Sequence, residues 1–141
     1  MSPSAEIEKK DRARAGAAGV DCEKKTILIY SPDLNFSFSL SMVFQERYNV
    51  VTASNPTMLE SCATTYAADI AIVDAVPSEK LIRQIDNLKI LRGRLAVIVT
   101  YVYNARDVEL DNAIRVHVDS VLYKPFEVDA VLVRVEQLLS H

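Results

Sequence analysis

The sequence predicts an α/β domain in which a parallel sheet is wound by helices on both faces. Two patterns and the chain length predict it. Five short runs, Thr26 to Tyr30, Tyr48 to Thr52, Asp69 to Val73, Leu95 to Val99 and Ser120 to Leu122, do not alternate apolar with polar residues. Strands without alternation are buried on both faces, as in a parallel sheet covered by helices. Between the runs lie segments of helical character, and a regular strand–helix order implies parallel strands joined by right-handed crossovers. The 141 residues suffice for one such domain, a three-layer α/β/α unit.

The elements follow in chain order. Residues 1 to 24 are set apart: from Ala5 to Gly19 the chain is small, charged and mixed in sign, with Ile7 its large apolar residue. Such a segment cannot bury enough surface to fold alone, so a disordered arm is expected there and a folded domain over residues 25–141. The first strand, Thr26 to Tyr30, ends at Ser31-Pro32-Asp33. The next segment, Phe36-Ser37-Phe38-Ser39-Leu40-Ser41, alternates with period two, which alone suggests a strand. Its place between two strands, and a continuation through Met42 to Arg47 that does not alternate, favour a helix over residues 34–47.

Asn55 followed by Pro56 is a helix start, and Leu59, Cys62, Ala63 and Tyr66 then share a face. Ser78 caps a third helix that buries Leu81, Ile82, Ile85 and Leu88. Asn104 caps a fourth, with Val108, Ala113, Ile114 and His117 as its inner side. The last helix is the most regular, with Val128, Val131, Leu132, Val135, Leu138 and Leu139 at helical spacing.

Composition excludes several function classes. Half the residues are hydrophobic, a quarter are charged and the net charge is −3, so no basic field calls for nucleic acid. The basic residues Lys9, Lys10, Arg12 and Arg14 are balanced by Glu6, Glu8 and Asp11. No apolar run is long enough to span a bilayer, and no apolar segment near the N-terminus resembles a secretory signal. Cys22 and Cys62 lack partners at metal-ligand spacing, which suggests reduced thiols and a cytoplasmic setting. His117 has no second ligand at useful spacing. Gly93 is the sole glycine of the folded part, so there is no glycine-rich phosphate loop. No Ser-His-Asp or Cys-His arrangement is apparent, and no enzymatic activity is expected.

In an open doubly wound sheet, ligands gather at the carboxyl ends of the strands. There the sequence places Ser31, Pro32 and Asp33 after the first strand, Asp74 after the third, Thr100 after the fourth, and Tyr123-Lys124-Pro125-Phe126 after the fifth. Each has an unremarkable explanation too: Asp74 as a turn cap, Lys124 as a surface lysine, Thr100 as a β-branched strand residue. Tyr101, Tyr103 and Tyr123 cluster near the same rim, as half-buried loop aromatics or as a partner surface.

Asp74, Thr100 and Lys124-Pro125-Phe126, at successive strand ends, resemble the receiver domains of two-component response regulators, over residues 25 to 140. The resemblance implies a flavodoxin-like fold with strand order 2-1-3-4-5. It implies that Asp74 is the phospho-acceptor and that Thr100 and Lys124 bind the phosphoryl group. The chemistry suits those residue types: a carboxylate attacks phosphorus to form an acyl phosphate, and an ammonium offsets charge on the oxygens. A Lys-Pro bond can also hold the cis form.

The departures are as informative. The family has an acidic pair after the first strand to hold Mg²⁺. Ser31 and Pro32 stand there instead, and Asp33 is one residue out of register and aimed elsewhere. Asp74 is then the sole carboxylate left for the metal, a poor set for an ion that wants several oxygen ligands. Tyr101 replaces a small residue and is expected to crowd the site, Val121 replaces an aromatic switch residue, and Pro77 comes one residue early.

The expectation is an atypical stand-alone receiver that ends at His141 without an output domain and acts by docking. The implied partners are a sensor histidine kinase or phosphotransfer protein and a downstream protein target. A homodimer would use the face formed by the fourth helix, fifth strand and fifth helix. Two mechanisms remain open: slow phosphorylation of Asp74, or an inert site on a phosphorylation-independent interaction module. A flavodoxin-like small-ligand binder is the rival from another class.

Overall fold

A computed structural model describes residues 24–140; the expected arm, apart from Lys24, and Cys22 lie outside the described residues. The five strands are β1 (Thr26–Tyr30), β2 (Asn49–Ala53), β3 (Ile70–Asp74), β4 (Ala96–Val102) and β5 (Ser120–Lys124). All are parallel, in the order β2-β1-β3-β4-β5. The helices are α1 (Leu34–Phe44), α2 (Leu59–Thr65), α3 (Glu79–Leu91), α4 (Val108–His117) and α5 (Val128–Leu139). The flavodoxin-like expectation holds in both order and layering.

Because successive side chains of a strand point to opposite faces, each strand feeds two cores. Leu28, Ala71, Val73, Val97 and Val99 pack with Leu59, Ala63, Leu81, Ile85, Leu88 and Ile114, under α2, α3 and α4. Ile27, Ile29, Ile70, Ile72, Ile98 and Leu122 pack with Leu40, Phe44, Val131 and Val135, under α1 and α5. This accounts for runs that never alternate.

The helix expected over residues 34–47 ends at Phe44, and period two has no structural meaning in it. Helical spacing turns Ser37, Leu40 and Phe44 inward and leaves Leu34, Phe38 and Met42 in solvent. Ser41 is accommodated locally, its Oγ donating to the Ser37 carbonyl (2.9 Å). Asn55 and Asn104 do cap, but each caps a short 3-10 turn, Pro56–Met58 and Ala105–Asp107, that leads into α2 and α4. Ser78 Oγ accepts from Leu81 N–H (3.0 Å), the expected cap of α3.

The inner side of α4 departs from expectation. Val108 is exposed, and the buried residues are Ile114 and the acidic Asp111. Its last residue, His117, pairs through Nδ1 with Asp86 of α3 (2.8 Å), a partner that sequence spacing did not suggest.

After α2 the chain turns at Ala67, which has φ of 51°, while Ala68 N–H donates to the Ala63 carbonyl (3.0 Å). A left-handed residue is disfavoured when it carries a Cβ. Ala67→Gly is therefore expected to raise stability by about 0.5–1 kcal/mol, read as a higher urea midpoint at unchanged slope.

Candidate functional site

The α1/α5 side of the sheet ends in polar residues. On β3 the sequence Ile70, Ile72, Asp74 occupies one face; on β4 it is Ile98 and Thr100; on β5 it is Leu122 and Lys124. Ser31 continues the parity of Ile27 and Ile29 just beyond β1. Register completes the convergence, since Asp74 lies beside Thr100 on adjacent strands. Thr100 was expected to finish its strand, yet β4 runs two residues further, to Val102.

Asp74 is 4% exposed, and both its oxygens are occupied by the chain's own donors. Ser31 Oγ donates to Oδ2 (2.6 Å). Thr100 Oγ1 donates to Oδ1 (3.1 Å), and Lys124 Nζ pairs with Oδ1 (2.6 Å). Buried carboxylates need such partners, and charge-assisted bonds are the strong ones. Lys124 is aimed from both sides. Its Nζ lies 5.3 Å from the Phe36 ring centroid, and Phe36 meets Phe126 edge-on at 5.8 Å. The Lys124–Pro125 peptide is cis.

The acidic side of the pocket is different. Ser31 Oγ, while donating to Asp74, accepts from Asp33 N–H (3.0 Å). Asp33 is exposed and turned into a helix cap, its Oδ1 accepting from Asn35 N–H (3.0 Å) and Phe36 N–H (3.3 Å). Pro32 is exposed and offers no ligand. The donor set does not fit Mg²⁺, because the one carboxylate in the pocket is capped on both oxygens and its neighbour is employed elsewhere. Among the described residues no cluster of three or more His, Cys, Asp or Glu could hold a metal.

Tyr101 does not crowd this pocket. Odd parity on β4 sends it to the opposite side of the sheet, under α4, together with Tyr123 of β5. There a second polar network forms around Asp111, the residue that periodicity missed. Tyr101 Oη donates to Asp111 Oδ1 (2.6 Å), Tyr123 Oη donates to both carboxylate oxygens (2.9 and 3.0 Å), and Arg115 Nη1 donates to Tyr123 Oη (2.8 Å). Tyr101 and Tyr103 meet Tyr123 edge-on, at 5.8 and 5.3 Å. The signal available in the sequence was Asp111 one turn before Ile114, opposite two tyrosines on adjacent strands.

Burial, and then the hydrogen bond to Asp111, push the phenols of Tyr101 and Tyr123 above their ordinary value. A phenol raised by folding adds stability that is fully present below about pH 10 and is lost as pH rises through the folded value.

No protein-family model matches the chain, and no curated protein matches it in sequence. Solved structures do resemble it. A response regulator from Thermotoga maritima is 19% identical, with 84% of this chain and 99% of that one covered and a TM-score of 0.72. A response regulator receiver domain protein (CheY-like) from Methanospirillum hungatei JF-1 is 19% identical, covering 83% and 94%, with a TM-score of 0.72. An adenylate cyclase from Rhodopirellula baltica is 13% identical, covering 83% and 88%, with a TM-score of 0.71. The chain has the receiver fold, and at these identities the likeness is one of fold.

Two outcomes follow. Lys124→Met is expected to cost about 2 kcal/mol in urea unfolding, and less when Asp74→Asn is already present, because the lone buried carboxylate is then gone. In alkaline titration followed by tyrosinate absorbance, Tyr101→Phe should remove a late-titrating component and flatten the loss of stability above about pH 10.

Proposed function

We propose that this chain is an atypical receiver module of two-component signal transduction that acts by docking to other proteins. In this proposal Asp74 descends from a phospho-acceptor, and Thr100 and Lys124 from the groups that bound the phosphoryl oxygens. The observation that carries the reading is the closure of Asp74: Ser31, Thr100 and Lys124 together occupy both of its oxygens. An incoming phosphoryl group competes with these donors and has no metal to offset charge, since the pocket's ligands do not suit one. Docking without phosphorylation is therefore favoured over a working phosphoryl switch.

The network around Asp111 supports the same choice. It ties α4 to β4 and β5 through two tyrosines and Arg115. Val121, where the resemblance leads one to expect an aromatic switch, packs as an aliphatic residue against the same core. Nothing in this arrangement calls for phosphorylation to set the position of α4.

The proposed docking surface is the α4–β5–α5 face. Arg115 and Arg134 border a shallow open recess with Val118, Asp119, Ser120 and Val121, and Val116 of α4 and Val133 of α5 are exposed. Arginine is enriched at the hot spots of protein interfaces, which suits a protein target. The proposed upstream partner, where one exists, is a histidine kinase or phosphotransfer protein, and the proposed compartment is the cytoplasm. Among the described residues no helix is long and apolar enough to cross a membrane.

Incubation with acetyl phosphate or beryllofluoride, with and without Mg²⁺, tests the proposal by intact mass and thermal shift on wild type and Asp74→Ala. The expected result is no Mg²⁺-dependent adduct and no stabilisation. A Mg²⁺-dependent phosphoryl adduct that Asp74→Ala abolishes would establish a working switch instead.

A further inference from the structure

The recess bordered by Arg115 of α4 and Arg134 of α5 has an uneven charge. Its charged side chains are these two arginines and Asp119. Asp119 is already answered: its Oδ2 takes the Lys89 ammonium (2.7 Å) and the Val97 N–H (2.7 Å). The two guanidiniums are not. Arg134 Nη1 donates to Ser120 Oγ and Arg115 Nη1 donates to Tyr123 Oη (2.8 Å), and among the described residues neither guanidinium is bonded to a carboxylate. The residues three and four positions from Arg134 along α5 are Ala130, Val131, Gln137 and Leu138, none of them acidic. Asp111 stands one turn before Arg115, but its two oxygens take the hydroxyls of Tyr101 and Tyr123.

A guanidinium has N–H donors to spare and no acceptor, and each of these two spends one bond within the chain. Ser120, which accepts from Arg134, has its own hydroxyl proton to give. The recess therefore offers donors and uncompensated positive charge, on a protein whose net charge is −3. Both arginines are also tethered before any ligand arrives, which lowers the ordering cost of binding.

We propose that the recess receives a carboxylate side chain of the docking partner, so that the target presents an acidic segment to the α4–β5–α5 face. This rests on the reading of that face as the docking face. The planar fork of a guanidinium matches a carboxylate, with two parallel N–H donors for two oxygens. Size and openness select a protein-borne group. At about 190 Å³ the recess is smaller than the roughly 300 Å³ at which small-molecule sites begin, so a nucleotide or cofactor is too large for it. A free anion at an open site is screened by water and salt and held weakly. A carboxylate carried on a protein is held by the surrounding contact as well, and opposite charge speeds its approach.

Titration of the isotope-labelled full chain with a blocked tetraglutamate peptide, followed by NMR at low salt, reads the site. The expected result is a dissociation constant of about a millimolar or tighter, with shifts centred on Ser120, Val121 and the side chains of Arg115 and Arg134. Affinity should fall about fivefold in Arg134→Gln and in Arg115→Gln, and stay unchanged in Arg83→Gln, which alters an exposed arginine of α3 outside the recess. Because Arg115 is exposed, Arg115→Gln keeps the test open if Arg134→Gln disturbs folding. No peptide binding, an equal loss in Arg83→Gln, or inorganic phosphate bound as tightly as tetraglutamate would overturn the proposal. So would a concentration-dependent dimer that Arg134→Gln abolishes, because a second copy would then be the occupant. None of these readouts involves Asp74. A Mg²⁺-dependent adduct there would overturn the proposed function and leave this site standing, and a failed titration would leave the account of the pocket standing.

Discussion

A buried carboxylate must be answered, and the answer given to Asp74 organises the functional end of this molecule. Removing an ion from water costs several kcal/mol unless hydrogen bonds and an opposite charge replace the solvent. Here the replacement is internal: hydroxyls from the β1 end and β4, and an ammonium from β5. Three strand ends are thereby held to a fourth by one side chain. The same contacts that stabilise the rim also compete for the carboxylate oxygens. Ser31 marks the difference from a metal-binding pocket. It donates a proton toward Asp74, where a carboxylate would have shared a cation with it.

The pleat of the sheet separates two polar networks that lie close in sequence. Thr100 and Tyr101 are adjacent residues, as are Tyr123 and Lys124, yet each pair is divided between opposite faces. On one side the charge of Asp74 is balanced by Lys124. On the other, Asp111 is satisfied by two phenols, with Arg115 reaching the outer one. The first network sits at the rim, where substrates would arrive. The second fastens α4 to β4 and β5, at the edge of the surface that a partner would touch.

Much of the fold was legible. Non-alternating runs announced a sheet covered on both sides, and β1 and α5 appear where periodicity put them. The convergence of Asp74, Thr100 and Lys124 followed from strand ends alone, given parallel strands. Other features were hidden for identifiable reasons. The alternation of α1 arose from serines at every second position, of which Ser41 bonds back to the Ser37 carbonyl, Ser39 is exposed and Ser37 faces inward, so it mimicked a strand. Asp111 was passed over because an acid on an inner helical position looks like an interruption of a pattern until its tyrosine partners are seen. The crowding expected of Tyr101 failed because parity along a strand, and not proximity in sequence, decides which side of a sheet a residue serves.

The sequence by itself determined the class of fold, the order of its elements and the chemical types gathered at the rim, since these depend on local periodicity and on residue identity. Only the tertiary structure decided that Asp74 is closed off, that Asp33 is spent on a helix cap, and that Asp111 is a buried anchor. The decisive bonds to Asp74 join residues 43 and 26 positions apart, and their lengths depend on strand register and on the side each chain turns to the sheet. No local pattern encodes a distance of that kind, because it is set by how the whole sheet packs against its helices.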